Sequence, residues 1–203
     1  MNDQTTDVLL QIATALYFTS LAGYAGFLFT QKKVYQKTAL CLIASGVLIH
    51  FISLVVYTLS NRYVPIQNLS QSLSVSAFAL GCMFLFFQYK SDLKILGVFA
   101  SALLTVIMGI ALMIPEAPVV RNEIFKGFWF YSHILLIFSG EAALALACGT
   151  GILYLLQEKG IKTKTPGFFF KRLPSLDFLD DVRIGSDCRQ VANREDYWTG
   201  NYQ

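Results

Sequence analysis

Charge is scarce in this sequence. Charged side chains make up 14 % of its 203 residues and apolar ones 55 %, where a soluble domain carries about 25 % charged. The few charges are also segregated, which excludes an ordinary soluble domain. Cysteine is sparse too. Of the four, Cys41, Cys82, Cys148 and Cys188, no two form a CxxC. That excludes a thioredoxin-type motif, a zinc knuckle and a covalent CxxCH attachment. The first three fall inside apolar runs and read as small packing residues. No nucleotide loop, HExxH or GxSxG is present, so nothing points to hydrolysis or phosphoryl transfer. The net charge of +3 comes without any Arg/Lys stripe beside aromatics, so no nucleic-acid partner is expected.

What the chain has is long apolar runs. A bilayer core of about 30 Å needs roughly 20 apolar residues in a helix. Five runs meet that length, at about 8–30, 39–59, 69–87, 93–113 and 128–156. Pro115 and Pro118 stop the fourth. The first is not a signal peptide, because Asp3 and Asp7 flank its front without any Lys or Arg and the run is too long. The expected class is all-α, a polytopic membrane helix bundle over residues 1–157, followed by a polar tail over 158–203. Residues 183–203 have no apolar period and are expected to be disordered.

Lysine and arginine orient such a bundle, since cytoplasmic loops carry the excess. Lys32, Lys33 and Lys37 lie in the first loop, Arg62 alone in the second, and Lys90 and Lys94 in the third. Arg121 and Lys126 lie in the fourth. Lys159, Lys162, Lys164, Lys171 and Arg172 lie in the tail. The N-terminus and loops two and four are therefore expected outside, and the tail in the cytoplasm. This describes a multi-pass protein of the cell (cytoplasmic or inner) membrane. Small residues four apart mark expected helix contacts. They are Ala22 and Gly26 in helix one, Gly97, Ser101, Thr105 and Gly109 in helix four, and Ala143, Ala147 and Gly151 in helix five.

The chain has two histidines, and both fall within apolar runs. His50 lies about 13 Å from the outer end of helix two, and His133 about 8 Å from that of helix five, at 1.5 Å per residue. Ionisable groups in hydrocarbon are costly and face protein or water. Each imidazole is open to three readings: an interhelical hydrogen bond, an axial ligand to haem iron, or a proton relay or other metal site. Glu141 sits near the middle of helix five, where an ionised carboxylate is strongly disfavoured. It reads either as a relay or as an acid bonded to a neighbouring Ser, Thr or backbone group. Trp129 is an interfacial anchor or a stacking partner for a cofactor near His133.

Two stretches carry a resemblance. Pro65–Phe78, PIQNLSQSLSVSAF, resembles the "P..N..ESL" segment of CcsA/ResC-type cytochrome c assembly proteins and their HemX-like relatives. His133 through YLLQEKGIKTKTPGFFFKRLPSLDFLDDV is similar to the middle of that family. With the helix spacing, the resemblance covers roughly residues 8–182. It implies haem b handled at the outer membrane face for attachment to apocytochrome c, together with a partner membrane subunit. It implies His133 as the outer haem ligand and His50 as a histidine of an early helix, with a shared haem between them as one option. Gln71 stands where the family has Glu. After Asp181 the family continues with more helices, a tryptophan-rich haem segment and a second outer histidine. Here the chain reads VRIGSDCRQVANREDYWTGNYQ and Trp198 stands alone, which leads us to expect a truncated or frame-shifted product. The rival readings are a HemX-like regulator of haem synthesis acting by protein contact, and a proton-linked transporter using Glu141.

The charge pattern makes one direct prediction. Alkaline phosphatase fused within the second or fourth loop is expected to be active. Green fluorescent protein fused to the tail is expected to fluoresce. The reverse pattern inverts the orientation.

Overall fold

Inside hydrocarbon every backbone N–H and C=O must be satisfied by protein, and a helix does this within one segment. The computed structural model describes residues 2–91, 95–115 and 128–162, and its regular elements there are helical. They are α1 (Asn2–Thr30), α2 (Lys33–Asn61), α3 (Leu69–Ser91), α4 (Leu96–Met113) and α5 (Phe128–Lys162). All five are long and apolar enough to cross a membrane. Phe18, Phe29, Leu59, Leu136 and Leu144 are each more than half exposed. Such a greasy exterior suits lipid and not water.

The helices extend beyond the apolar runs that announced them. α1 takes in the polar Asn2–Asp7 stretch, α2 starts at Lys33 instead of Ala39, and α5 continues to Lys162. Hydropathy marks the part of a helix that sits in hydrocarbon, while backbone hydrogen bonding carries on into the polar zone. α4 is the exception. It starts at Leu96, and the expected start at Leu93 lies outside the described residues, as does everything from residue 163.

Local chemistry sets the ends. Gln31 (φ 56°) and Arg62 (φ 65°) adopt the left-handed region, an uncommon state for non-glycine residues that closes helices well. Their backbone N–H groups donate to Phe27 and Thr58 carbonyls at 2.8 and 2.9 Å. Gln31 Nε2 also donates to the carbonyls of Phe27 and Leu28, which offsets the strain. α3 starts behind Pro65 with Asn68 as its cap, its Oδ1 accepting from the Gln71 N–H at 2.9 Å. α4 stops at Ile114, whose extended backbone (φ −81°, ψ 123°) is what a residue before proline prefers.

The chain divides into two compact units, Met1–Gly149 and Thr150–Gln203. In the second, the described part is the end of α5, where Lys162 Nζ pairs with Glu158 one turn back at 2.6 Å. In the first, α1 is a wedge between α2 and α4. Its buried Tyr17 and Tyr24 lie over glycines of the flanking helices. A Cβ at Gly46 would come within 2.8 Å of the Tyr17 ring, and one at Gly97 would overlap the Tyr24 ring. Ser20 Oγ and Ser53 Oγ then donate across the α1–α2 interface to the carbonyls of Ala39 (3.0 Å) and Thr6 (3.2 Å).

The small-residue stripes are used selectively. Gly97 and Ser101 are buried as expected, but a methyl group added at Gly109 would meet nothing within 4 Å. In α1 Gly26 meets α2 as expected, a Cβ there lying 3.5 Å from the Tyr35 ring, but the closer approach falls on Gly23, whose Cβ would meet Ala39 Cβ at 3.0 Å, while Ala22 is exposed. In α5 the buried positions are Ala142, Leu146, Gly149, Thr150 and Leu153, offset from the expected Ala143, Ala147 and Gly151. Cys41, Cys82 and Cys148, expected as small packing residues, are exposed on the bundle surface. A thiol is apolar enough to face lipid, so hydropathy does not separate the two environments.

Gly97→Leu is expected to cost about 1–3 kcal/mol by driving a side chain into Tyr24. Gly109→Ala is expected to be neutral or to gain up to about 1 kcal/mol from helix propensity. Unfolding of the detergent-solubilised protein followed by circular dichroism measures both.

Candidate functional site

The two histidines occupy opposite kinds of environment. α2 buries one stripe, Ala39, Ile43, Gly46, Val47, His50 and Ser53, at the three- and four-residue spacing of a single helix face. His50 belongs to that stripe and is fully buried. Because Tyr17 lies over Gly46, one turn earlier, its hydroxyl reaches the ring. Tyr17 Oη and His50 Nδ1 are hydrogen-bonded at 3.3 Å. On the other side, His50 Nε2 and Ser74 Oγ are hydrogen-bonded at 2.9 Å. A neutral imidazole donates from one nitrogen and accepts at the other, so both partners are satisfied in either tautomer. The Phe78 ring closes the pocket edge-on, with centroids 5.6 Å apart.

Ser74 is brought there by the turn that starts α3. Ser70 Oγ donates to the Ala111 carbonyl of α4 at 2.7 Å. Gln71 Nε2 donates to Tyr57 Oη at 2.7 Å, and Tyr57 and Tyr63 hydroxyls are bonded at 3.0 Å. The polar positions of PIQNLSQSLSVSAF thus cap α3 and tie it to α2 and α4. Gln71 accepts from the Gln67 N–H as well, so an amide is well employed at this position.

His133 has no such surroundings. It is exposed on α5 and makes no hydrogen bond or ion pair among the described residues. Trp129, one turn earlier on the same face, is 83 % exposed. Ile137, Gly140, Glu141 and Leu144 continue that face at positions four, seven, eight and eleven from His133, and all are exposed. α5 turns its other side inward through Ala142, Leu146 and Gly149, the last against the Phe99 ring of α4. Glu141, read either as a relay or as an acid bonded to a neighbouring group, is exposed and its side chain has no partner among the described residues.

The structure therefore places His133 and Trp129 on one exposed face of α5, while His50 is enclosed by α1, α2 and α3. Among the described residues, no group of three or more His, Cys, Asp or Glu is placed to hold a metal ion. His50 ligation of iron would require displacing Tyr17 or Ser74 from the imidazole. Reading the sequence alone missed Tyr17, Ser74 and Phe78 as the partners of His50. The available signal was faint. Tyr17 and Ser20 stand out as polar positions in an apolar run, and Ser70 and Ser74 are four apart.

Replacing His50 with Ala leaves two buried hydroxyls unpaired and is expected to destabilise the bundle by about 1–3 kcal/mol. A His50→Ala/Ser74→Ala double-mutant cycle is expected to give a coupling of roughly 0.5–1.5 kcal/mol, the range of interhelical hydrogen bonds in membrane proteins. Strictly additive losses would show that the 2.9 Å contact contributes nothing.

Compared with protein-family models, with curated proteins and with solved structures, the chain finds no match.

Proposed function

We propose that this chain is a membrane component of cytochrome c assembly that handles haem b, meeting it on the exposed face of α5 through His133 and Trp129. The observation that carries the proposal is the state of His133. Its imidazole sits within a membrane-spanning helix, exposed and without a partner among the described residues, one turn from an exposed indole. Ionisable groups in such segments almost always serve a partner or a ligand. Haem iron takes an axial imidazole, and the macrocycle suits an aromatic wall.

His133 and Trp129 fit one side of a haem. His50 does not fit as its second ligand in this arrangement, because both of its ring nitrogens are engaged. The proposed division of labour follows. His50 is a structural hydrogen-bonding residue, His133 is the exchangeable ligand, and a partner membrane subunit supplies the opposite face. An exchangeable ligand suits delivery to apocytochrome c better than a fully enclosed site. Assignment to a cytoplasmic or inner membrane, with α5 starting on the outer side, is part of the same proposal.

One observation favours a second reading. Gly140 and Glu141 are exposed on the His133 face, and Gly140 is open to close backbone approach. That suits a HemX-like regulator acting by protein contact. A proton-linked transporter would instead rest on Glu141 alone.

Absorption spectra of the purified full chain after haem is supplied separate these readings. Wild type is expected to hold haem with an imidazole-ligated Soret band. His133→Ala is expected to abolish the band, Glu141→Gln to leave it, and His50→Ser to leave it in whatever fraction remains folded. A colourless wild type overturns haem binding. A phenotype for Glu141→Gln with none for His133→Ala moves the reading to transport.

A further inference from the structure

α3 and α5 each line an open groove with an apolar stripe, and on α3 only Phe78 of that stripe has a ring contact with another helix, to His50 and Phe51 of α2, among the described residues. On α3 the stripe is Val75, Phe78, Ala79, Cys82, Met83 and Phe86, at positions 0, 3, 4, 7, 8 and 11 of a helical face. On α5 it includes Tyr131, Ile134, Leu135 and Phe138, with the same spacing. The two stripes form the walls of an open groove of about 700 Å³, a volume typical of a small-molecule site. Val64 and Ile66 of the turn before α3 also line it.

We propose that this groove holds an acyl chain of a bilayer phospholipid. Three features select that occupant. The lining offers no charged side chain and no histidine among the described residues, and its polar groups are the hydroxyls of Tyr131 and Ser139 and the thiol of Cys82. The two carboxylates of a haem find no cationic side chain in this lining, whereas a hydrocarbon tail needs none. The length fits as well. Val75 to Phe86 rises roughly 16 Å at 1.5 Å per residue, close to one leaflet's half of a core about 30 Å thick. Finally, the walls belong to helices long and apolar enough to cross the membrane, so the groove opens on lipid. Tyr131, near the start of α5, suits the headgroup level, where amphipathic rings collect.

The tail acts as packing material between α3 and the first turns of α5. This inference does not depend on the haem reading. A result on the groove leaves that reading untouched.

The test uses the full chain in vesicles that contain a phosphatidylethanolamine with a diazirine midway along one acyl chain. After irradiation, peptides carrying Met83 and Phe138 are expected to be labelled in preference to those carrying the lipid-facing Leu48 and Leu144. Ala79→Trp, which fills the groove, is expected to lose the first labels and keep the second. If Ala79→Trp does not fold, Ser139→Phe fills the groove from the other wall with the same expectation. Even labelling of groove and outer faces overturns the proposal, as does groove labelling unchanged by a folded filling variant.

Discussion

A polar side chain surrounded by hydrocarbon must find its hydrogen-bond partner inside the protein, and much of this bundle is organised around that demand. The chain of contacts from Tyr17 through His50 to Ser74 joins α1, α2 and α3 in a single polar link. It can form only if Tyr17 lies close against α2, and Gly46 permits that approach. Tyr24 meets α4 at Gly97 by the same aromatic-over-glycine device. The shape of the wedge and the polar link thus reinforce each other: one sets distance, the other sets register. Tyr24 lacks the second half of the arrangement. Its buried hydroxyl has no hydrogen-bond partner among the described residues, so its contribution is one of shape.

The two imidazoles show how the same residue type takes on different roles through its surroundings. His50 has both nitrogens engaged and no exposure, which makes it part of the scaffold. His133 lies on the outward side of a helix that turns its small residues inward, and its imidazole is unengaged among the described residues. A scaffold histidine is insulated from ligands by its own hydrogen bonds. An exposed one, in a helix long and apolar enough to cross a membrane, is left open to a ligand. That asymmetry underlies the proposed assignment of haem contact to α5 and not to the interior.

The same helix explains why the face of α5 was hard to read in advance. Ala143, Ala147 and Gly151 have the spacing of a contact stripe, yet burial falls on Ala142, Leu146 and Gly149. Both sets are small or apolar, and in lipid neither water nor charge distinguishes the inner face from the outer one. The cysteines illustrate the same ambiguity: Cys82 was legible as a membrane residue, but its place on a groove wall was not. The Pro65–Phe78 stretch was recognisable as a patterned segment. What its polar positions do, capping α3 and gripping α2 and α4, became visible only from their partners.

From the sequence alone came the helical class, the five membrane-length runs, the proline stop after α4, and the presence of two histidines within those runs. Those follow from composition and local chemistry, because segment length against bilayer thickness and backbone satisfaction act along one stretch of chain. Which imidazole is enclosed, which helix face meets protein, and where two apolar stripes leave a groove were decided by tertiary structure. The physical reason is that side chains facing lipid and side chains facing other helices are equally apolar, so only the packing of neighbours separates them.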